Sequence, residues 1–274
     1  MTDEGVATIE EMWDRQAAAE ERYSTPYLDL TREDVVAFAR GAPGPVALGT
    51  VFPAQLLLDV VGKPVLCLAS AGGQQTVLFG LAGARVTVLD ISAGQLTADQ
   101  RAAAHYGYTL DAVKGDMRDL SMFADESFDL IYQPISACFI PDLVPLYREA
   151  FRVLRRGGRY KVAHCNPATY AVSFTGGDNG WDGKGYRIAE PYGGGLIRMD
   201  VRGRENLCEG APTGEHVHLL SDVFGGLIAV GFTIEQVLED PRHLAGPGDA
   251  ERGSHDHQVG TIAEYFAVVC SKVA

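Results

Sequence analysis

The chain has 274 residues, 46% of them apolar and 22% charged. That suits one α/β domain with additions, or two small domains, and excludes a disordered or fibrous chain. Acidic residues outnumber basic ones 36 to 23, for a net charge of −13, which argues against a nucleic-acid or anionic-membrane partner, since both need lysine and arginine against phosphate. Five cysteines (Cys67, Cys138, Cys165, Cys208 and Cys270) make an odd number without a C-x-x-C pair, as expected of buried free thiols in a reducing compartment. The acidic N-terminus has no signal-peptide pattern, and no apolar run reaches the roughly 18 residues of a membrane span. A soluble, cytoplasmic protein is expected.

Residues 2–23 are polar and helix-prone, with Trp13 and Tyr23 set among charges. Thr31 reads as the cap of a helix whose first turn is acidic. Gly41-Ala42-Pro43-Gly44-Pro45 breaks the chain, and 53–61 reads as a short helix. From Lys63 the rhythm changes. Short apolar, β-branched runs at 65–69, 85–89, 109–113, 128–132 and 159–164 predict buried strands, the second closed by Asp90. Helical patterns at 74–81, 93–106 and 143–154 separate them, the last two stopped by Gly107 and Gly157-Gly158. This is βαβ spacing. Residues 166–215 are glycine-rich and predict loops with small antiparallel strands. A helix is expected over 217–230, strands over 233–238 and 265–271, and a polar loop over 239–260.

The first strand runs into Ala69-Ser70-Ala71-Gly72-Gly73 and a helix follows. Such a turn presents backbone N–H groups and a helix N-terminus to a ligand, although a glycine pair can also be a plain turn. An acid ending the next strand, here Asp90, can accept from both ribose hydroxyls. The dinucleotide fingerprint G-x-G-x-x-G is not met, because Gln74 and Gln75 follow the glycines. A nucleoside ligand without a packed pyrophosphate fits better.

With the motifs VLCLASAGGQQ, VTVLDIS, GDMRDL, FDLIYQPIS and YREAFRVLRRGGRYKVA in this order, residues 65–164 resemble the class I methyltransferase core of the broad "methyltransferase domain 11" kind. The resemblance implies a Rossmann-like, doubly wound, seven-stranded and mostly parallel sheet that binds S-adenosylmethionine. It divides the chain into an N-terminal helical lid (1–62), the cofactor-binding core (63–165), a substrate-capping insertion (166–215) and a C-terminal completion (216–274). Ala69, Ser70 and Gly72 would contact the methionine portion through backbone groups. Asp90 would hold the ribose, with Ile91 and Ser92 beside the adenosine and Gln95 and Leu96 flanking the adenine. Asp116 would accept from the adenine amino group, although Gly115-Asp116 also reads as a capped turn. The Met117 backbone would meet the ring edge, and Gln133 and Pro134 would lie near the reactive methyl. The family's first motif usually reads D-x-G-x-G. Here Cys67 stands at the acid and Ala69 at the first glycine. Gln74 and Gln75 are unusual there, and either give amides to the cofactor or form a solvated first helical turn.

Methyl transfer from a sulfonium is an in-line displacement that requires no metal, and positioning alone can supply about 7–11 kcal/mol in favourable cases. His255-Asp256-His257 is the one metal-like cluster and reads as solvated. A hydroxyl acceptor calls for a base, and a carbon nucleophile for charge stabilisation. His164, at the end of the fifth strand, and His216, at the start of the helix after the insertion with His218 beside it, are the candidates. His164 is equally a core histidine. Tyr23, Tyr170, Trp181 and Tyr186 are candidate substrate contacts or packing aromatics. The implied partner is a small organic acceptor, of the secondary-metabolite kind, and a homodimer is compatible with this reading. Two other readings stand beside it. A nicotinamide-dependent oxidoreductase would need a third glycine and a Tyr-x-x-x-Lys pair, absent at Tyr132, Tyr147 and Tyr160. A non-enzymatic binding protein on the methyltransferase fold is the other.

Overall fold

The computed structural model describes residues 3–45, 47, 49, 51–70, 72–172, 180–188, 192–198 and 214–273. The N-terminal segment carries helices α1 (Asp3–Ala18) and α2 (Arg32–Ala39) and a 3-10 turn at Ala54–Leu57. Thr31 caps α2 as expected: its Oγ1 accepts from the Asp34 N–H at 3.1 Å, while the Asp34 carboxylate accepts from the Thr31 N–H at 3.0 Å. The alternating core follows as β1 (Pro64–Leu68), α3 (Gln75–Leu81), β2 (Arg85–Asp90), α4 (Ala93–Tyr106), β3 (Leu110–Lys114), β4 (Phe128–Ile135), α5 (Leu143–Val153) and β5 (Leu154–Cys165). Then come α6 (Pro167–Ala171), β6 (Gly195–Arg198), β7 (Gly214–Val217), α7 (Leu220–Val230), β8 (Thr233–Glu239), α8 (Pro241–Leu244), α9 (His255–Thr261) and β9 (Tyr265–Ser271).

Seven strands form one mostly parallel sheet in the order β3-β2-β1-β4-β5-β9-β8. β1 runs parallel to β2, with Pro64 opposite Arg85 and Leu68 opposite Leu89, and parallel to β4, with Cys67 opposite Tyr132. β2 runs parallel to β3, with Asp90 opposite Lys114. The order reverses direction between β1 and β4, and crevices at such switch points, beyond the strand carboxyl ends, are where open α/β sheets bind ligands. Val65–Leu68 are wholly buried, which explains their unbroken apolar run.

The chain divides into two compact units. One holds Glu10–Pro134, Pro145–Lys161 and Ser271–Ala274; the other holds Met1–Ile9, Ile135–Val144 and Val162–Cys270. In the first, Leu30, Val35, Val51, Leu57 and Val60 share one core with Val65, Cys67, Val77, Phe79 and Tyr132. Leu30, Val35, Val51, Leu57 and Val60, all within the segment expected as a lid, thus pack into the core of this unit.

Four local expectations are corrected. The helix expected over 53–61 is a 3-10 turn. Gly157-Gly158 do not precede the fifth strand but lie inside it, because the Gly157 N–H donates to Lys272 O (2.7 Å) and Gly158 O accepts from the Lys272 N–H (3.2 Å). His216 lies in strand β7, not at a helix start: its partner strand β6 sets Leu196 opposite His216, and α7 begins only at Leu220. The loop expected over 239–260 contains α8 and α9, the latter capped by Ser254. β6 and β7 are the small antiparallel strands expected in the insertion. Cys208 lies outside the described residues. Among the described residues no helix is long and apolar enough to cross a membrane.

Candidate functional site

The turn after β1 is shaped by close approach. Ala69 adopts φ +46° and Gly73 φ +74°. A Cβ on Gly73 would lie 2.4 Å from Pro26 Cβ, and one on Gly72 would lie 2.8 Å from Ala98 Cβ, so bare backbone is required at both. The Ala69 N–H donates to Leu89 O at 2.7 Å, tying the turn to the end of β2. The Gly72 N–H donates to Gln95 Oε1 at 2.6 Å and the Gly73 N–H to Asp99 Oδ1 at 2.7 Å. Ser70 Oγ and Gln75 Oε1 are buried with no hydrogen-bond partner. Buried polar atoms are nearly always paired, so these two mark groups that a polar ligand would complete.

Asp90 ends β2 as expected and is buried, with Oδ1 accepting from the Ser92 N–H at 2.9 Å. Burial pushes its carboxyl up to about 7, against the pull of the Ser92 and Ile91 N–H groups, and Asp14 adds to the rise. Ser92 caps α4 through Gln95 N. Two residues named for the cofactor have other tasks. Gln95 uses its oxygen on Gly72 and its Nε2 on Ser24 Oγ (2.5 Å), and Gln74 Nε2 donates to Arg22 O (2.7 Å) and Thr25 O (3.2 Å).

Beyond β3, Asp116 accepts on both oxygens from the Arg118 guanidinium, at 2.9 Å and 3.1 Å from Nε. Burial pushes this carboxyl up, but the Arg118 side chain and N–H outweigh it, and the net shift is below the usual carboxylate value. At the end of β4 the buried Gln133 accepts from Tyr160 OH and donates to Met117 Sδ at 3.3 Å. This joins Met117 to the strand that carries Pro134. Behind it lies a lysine that the sequence reading missed. Lys161 is buried, with Nζ 3.3 Å from both Tyr132 OH and Gln133 O and 4.3 Å from the Tyr132 ring centre. Burial pushes it down to about 7. A lysine flanked by Tyr160 and Val162 within the strand pattern 159–164 was its signal.

The N-terminal segment was also under-read. Asp14 Oδ1 accepts from Ser92 Oγ (2.5 Å) and the Gly94 N–H (2.9 Å), capping α4 from α1. The Tyr27 N–H donates to Gly73 O at 3.1 Å. Tyr23, between these contacts, is 54% exposed.

The second unit holds the remaining candidates. His164 is buried, stacked on Phe266 with ring centres 5.8 Å apart. His216 is half-buried, and burial together with His218 lowers its pKa. His218, named beside His216 as a candidate base, donates from Nε2 to Ile140 O (2.9 Å) and lies 3.1 Å from Ala137 O, tying down the 3-10 turn Ala137–Phe139. Tyr170 is buried, its OH donating to Glu215 at 2.7 Å. Trp181, Tyr186 and His257 pack as a trio, with a 2.8 Å hydrogen bond between Tyr186 OH and His257 Nδ1. His257 is thus committed to aromatic packing, and no metal-holding group occurs among the described residues.

A buried acid closing β2, orphaned polar atoms in the glycine turn and a switch point in the sheet fit a nucleoside such as S-adenosylmethionine. Residues 66–162 match the family described as "Methyltransferase domain". The chain is 38% identical over 181 residues to the uncharacterized methyltransferase YbaJ of Bacillus subtilis (strain 168), covering 66% of this chain and 70% of that protein. It is similar to the solved S-adenosylmethionine dependent methyltransferase from Mesorhizobium loti, with a TM-score of 0.63 and 23% identity over 85% of this chain and 99% of the other. The geranyl diphosphate C-methyltransferase from Streptomyces coelicolor A3(2), solved with Mg2+, geranyl diphosphate and S-adenosyl-L-homocysteine, shares 98% coverage of both chains at a TM-score of 0.60 and 14% identity. At these identities the two structures show likeness of fold.

Proposed function

The chain belongs to the S-adenosylmethionine-dependent methyltransferases, and from that premise we propose that it methylates a small organic acceptor, of the secondary-metabolite kind, by in-line displacement. Bound S-adenosylmethionine supplies an electrophilic methyl on a sulfonium, a leaving group that needs no Lewis acid. The observation that carries the reading is the buried Asp90 beside a turn with unpartnered Ser70 and Gln75 atoms. Ionised Asp90 accepts from the ribose hydroxyls, and Ser70 and Gln75 complete the polar lining of the turn. Ala69, Gly72, Ile91, Ser92, Met117, Gln133 and Pro134 border the cofactor through backbone and packing, and Asp116 faces the adenine edge with its charge kept by Arg118.

For an acceptor that must lose a proton, His216 is the proposed base, since its lowered pKa keeps it neutral near pH 7. His164 is the second candidate, and Tyr23, Tyr170, Trp181 and Tyr186 are proposed acceptor contacts. The net charge of −13 disfavours a nucleic-acid acceptor. The protein is proposed to act in the cytoplasm without nucleic-acid or membrane partners, as a monomer or homodimer.

The test is thermal unfolding with S-adenosylhomocysteine, which at 100 times its Kd should add about 2.7 kcal/mol of stability. A screen of radiolabelled methyl transfer to small hydroxyl, amine and carbon acids follows. No stabilisation by S-adenosylhomocysteine, or label found only on nucleic acid or protein, would sink the proposal.

A further inference from the structure

Residues 95 and 99 are one helical turn apart on α4 and so share a face. From that face they take two consecutive backbone N–H groups of the glycine turn, Gly72 by Gln95 at 2.6 Å and Gly73 by Asp99 at 2.7 Å. Asp99 Oδ1 also accepts from Thr76 Oγ1 at 2.6 Å, so one carboxyl oxygen joins the turn to the first turn of α3. Asp99 is wholly buried, and its other oxygen has no partner. The neighbouring strand position that could have supplied a carboxylate is Cys67, also wholly buried.

We propose that Asp99, with Gln95, is the positioning device of the cofactor turn: the carboxyl group that shapes the turn comes from α4 instead of from β1. This rests on the reading of the turn as the S-adenosylmethionine site. The N–H groups of Gly72 and Gly73 are taken by α4, so the turn receives its ligand through Ser70, Gln75 and backbone carbonyls. Burial and the nearby Asp90 push the Asp99 carboxyl up to about 8, against the hydrogen bonds from Thr76 and Gly73. Near pH 7 it is therefore mostly protonated, and its work is that of a neutral acceptor. The Cys67 thiol in turn lies within electrostatic reach of the Asp99 carboxyl, whose ionised form adds to the rise that burial imposes on the thiol. A carboxyl at position 67 would thus occupy the same neighbourhood.

The experiment measures S-adenosylhomocysteine binding to the full chain by calorimetry, with a thermal melt of each variant. Asp99→Ala should raise Kd about tenfold or more, as expected for a buried N–H left without its acceptor. Asp99→Asn keeps an acceptor oxygen and should stay within about threefold. Cys67→Asp combined with Asp99→Ala should regain most of the lost affinity. Val223→Ala, a cavity in the other unit, should lower Tm without moving Kd, separating positioning from general destabilisation. If Asp99→Ala does not fold, Gln95→Ala against Gln95→Glu makes the same comparison at Gly72. Wild-type affinity in Asp99→Ala, or equal losses in the alanine and asparagine variants, overturns the inference while the cofactor reading stands. Failure of the wild type itself to bind overturns both.

Discussion

Asp90 and Asp116 follow neighbouring parallel strands of the same sheet, and their environments give them opposite character. Asp90 is buried with only N–H donors and no cation, and its carboxyl rises to about 7. Asp116 is also partly buried, but Arg118 grips both its oxygens and the net shift is downward. The residue type and topological position are shared. Deeper burial at Asp90, and one arginine two residues along from Asp116, decide which of them titrates near neutrality. Asp90 is thus the proton-sensitive end of the site and Asp116 the permanently charged one.

The largest expected effect is on that contrast itself. Asp90→Ala should weaken S-adenosylhomocysteine binding about a hundredfold, the loss of two hydrogen bonds to a charged acceptor. Asp116→Ala should cost about tenfold, and Arg118→Met only a few-fold, because either one removes a single edge contact or its support. Calorimetric titration ranks the three, and an Asp116 variant weaker than the Asp90 variant would break the comparison.

The pH dependence sharpens it. In the proposed site ionised Asp90 receives the ribose hydroxyls, and on that proposal Kd should rise as pH falls below about 7, approaching tenfold per unit. Asp90→Asn should flatten this profile, while Asp116→Asn should leave it in place. Stability of the free protein has the opposite sign. The raised carboxyls of Asp90 and Asp99 contribute most below the unfolded value of about 4. Their contribution falls as pH rises through about 7 and about 8 respectively. Asp99→Asn should therefore gain Tm relative to wild type between pH 5 and pH 9 in melts without ligand; a constant offset would show that Asp99 does not titrate in that window.

The smallest effect concerns the backbone beside these acids. Ala69 holds φ +46°, a conformation that costs an L-residue about 1–2 kcal/mol, part of which glycine returns as unfolded-state entropy. Ala69→Gly should add up to about 1 kcal/mol, a Tm rise of a few degrees, with cofactor affinity unchanged. A loss of affinity would show that the Cβ at 69, and not the carboxylates alone, shapes the site.

Strands β1 and β9 were legible because a strand buried on both faces is written as a nearly unbroken apolar run, β2 because its Val and Thr residues are β-branched, and α4 because Ser92 and Gly107 bound it. β7 was not, since a four-residue strand with one charged and one histidine side chain has no periodicity of its own and exists through its pairing with β6. The extension of β5 through Gly157-Gly158 likewise depends on Lys272, far along the chain. In the site, Asp90 was visible as an acid closing a strand. The tasks of Asp14, Ser24, Gln95 and Asp99 were not, because each acts on a residue more than twenty positions away.

Local pattern alone therefore determined the alternation of strands and helices, the turn that opens toward a ligand, and the acids that end two strands, because these follow from apolar periodicity and the stereochemistry of glycine and capping residues. Tertiary structure decided which carboxyl is charged, which turn N–H groups are already taken, and which glutamines hydrogen-bond within the fold. Those properties depend on burial and on partners brought together from distant parts of the chain, and no local stretch of sequence encodes them.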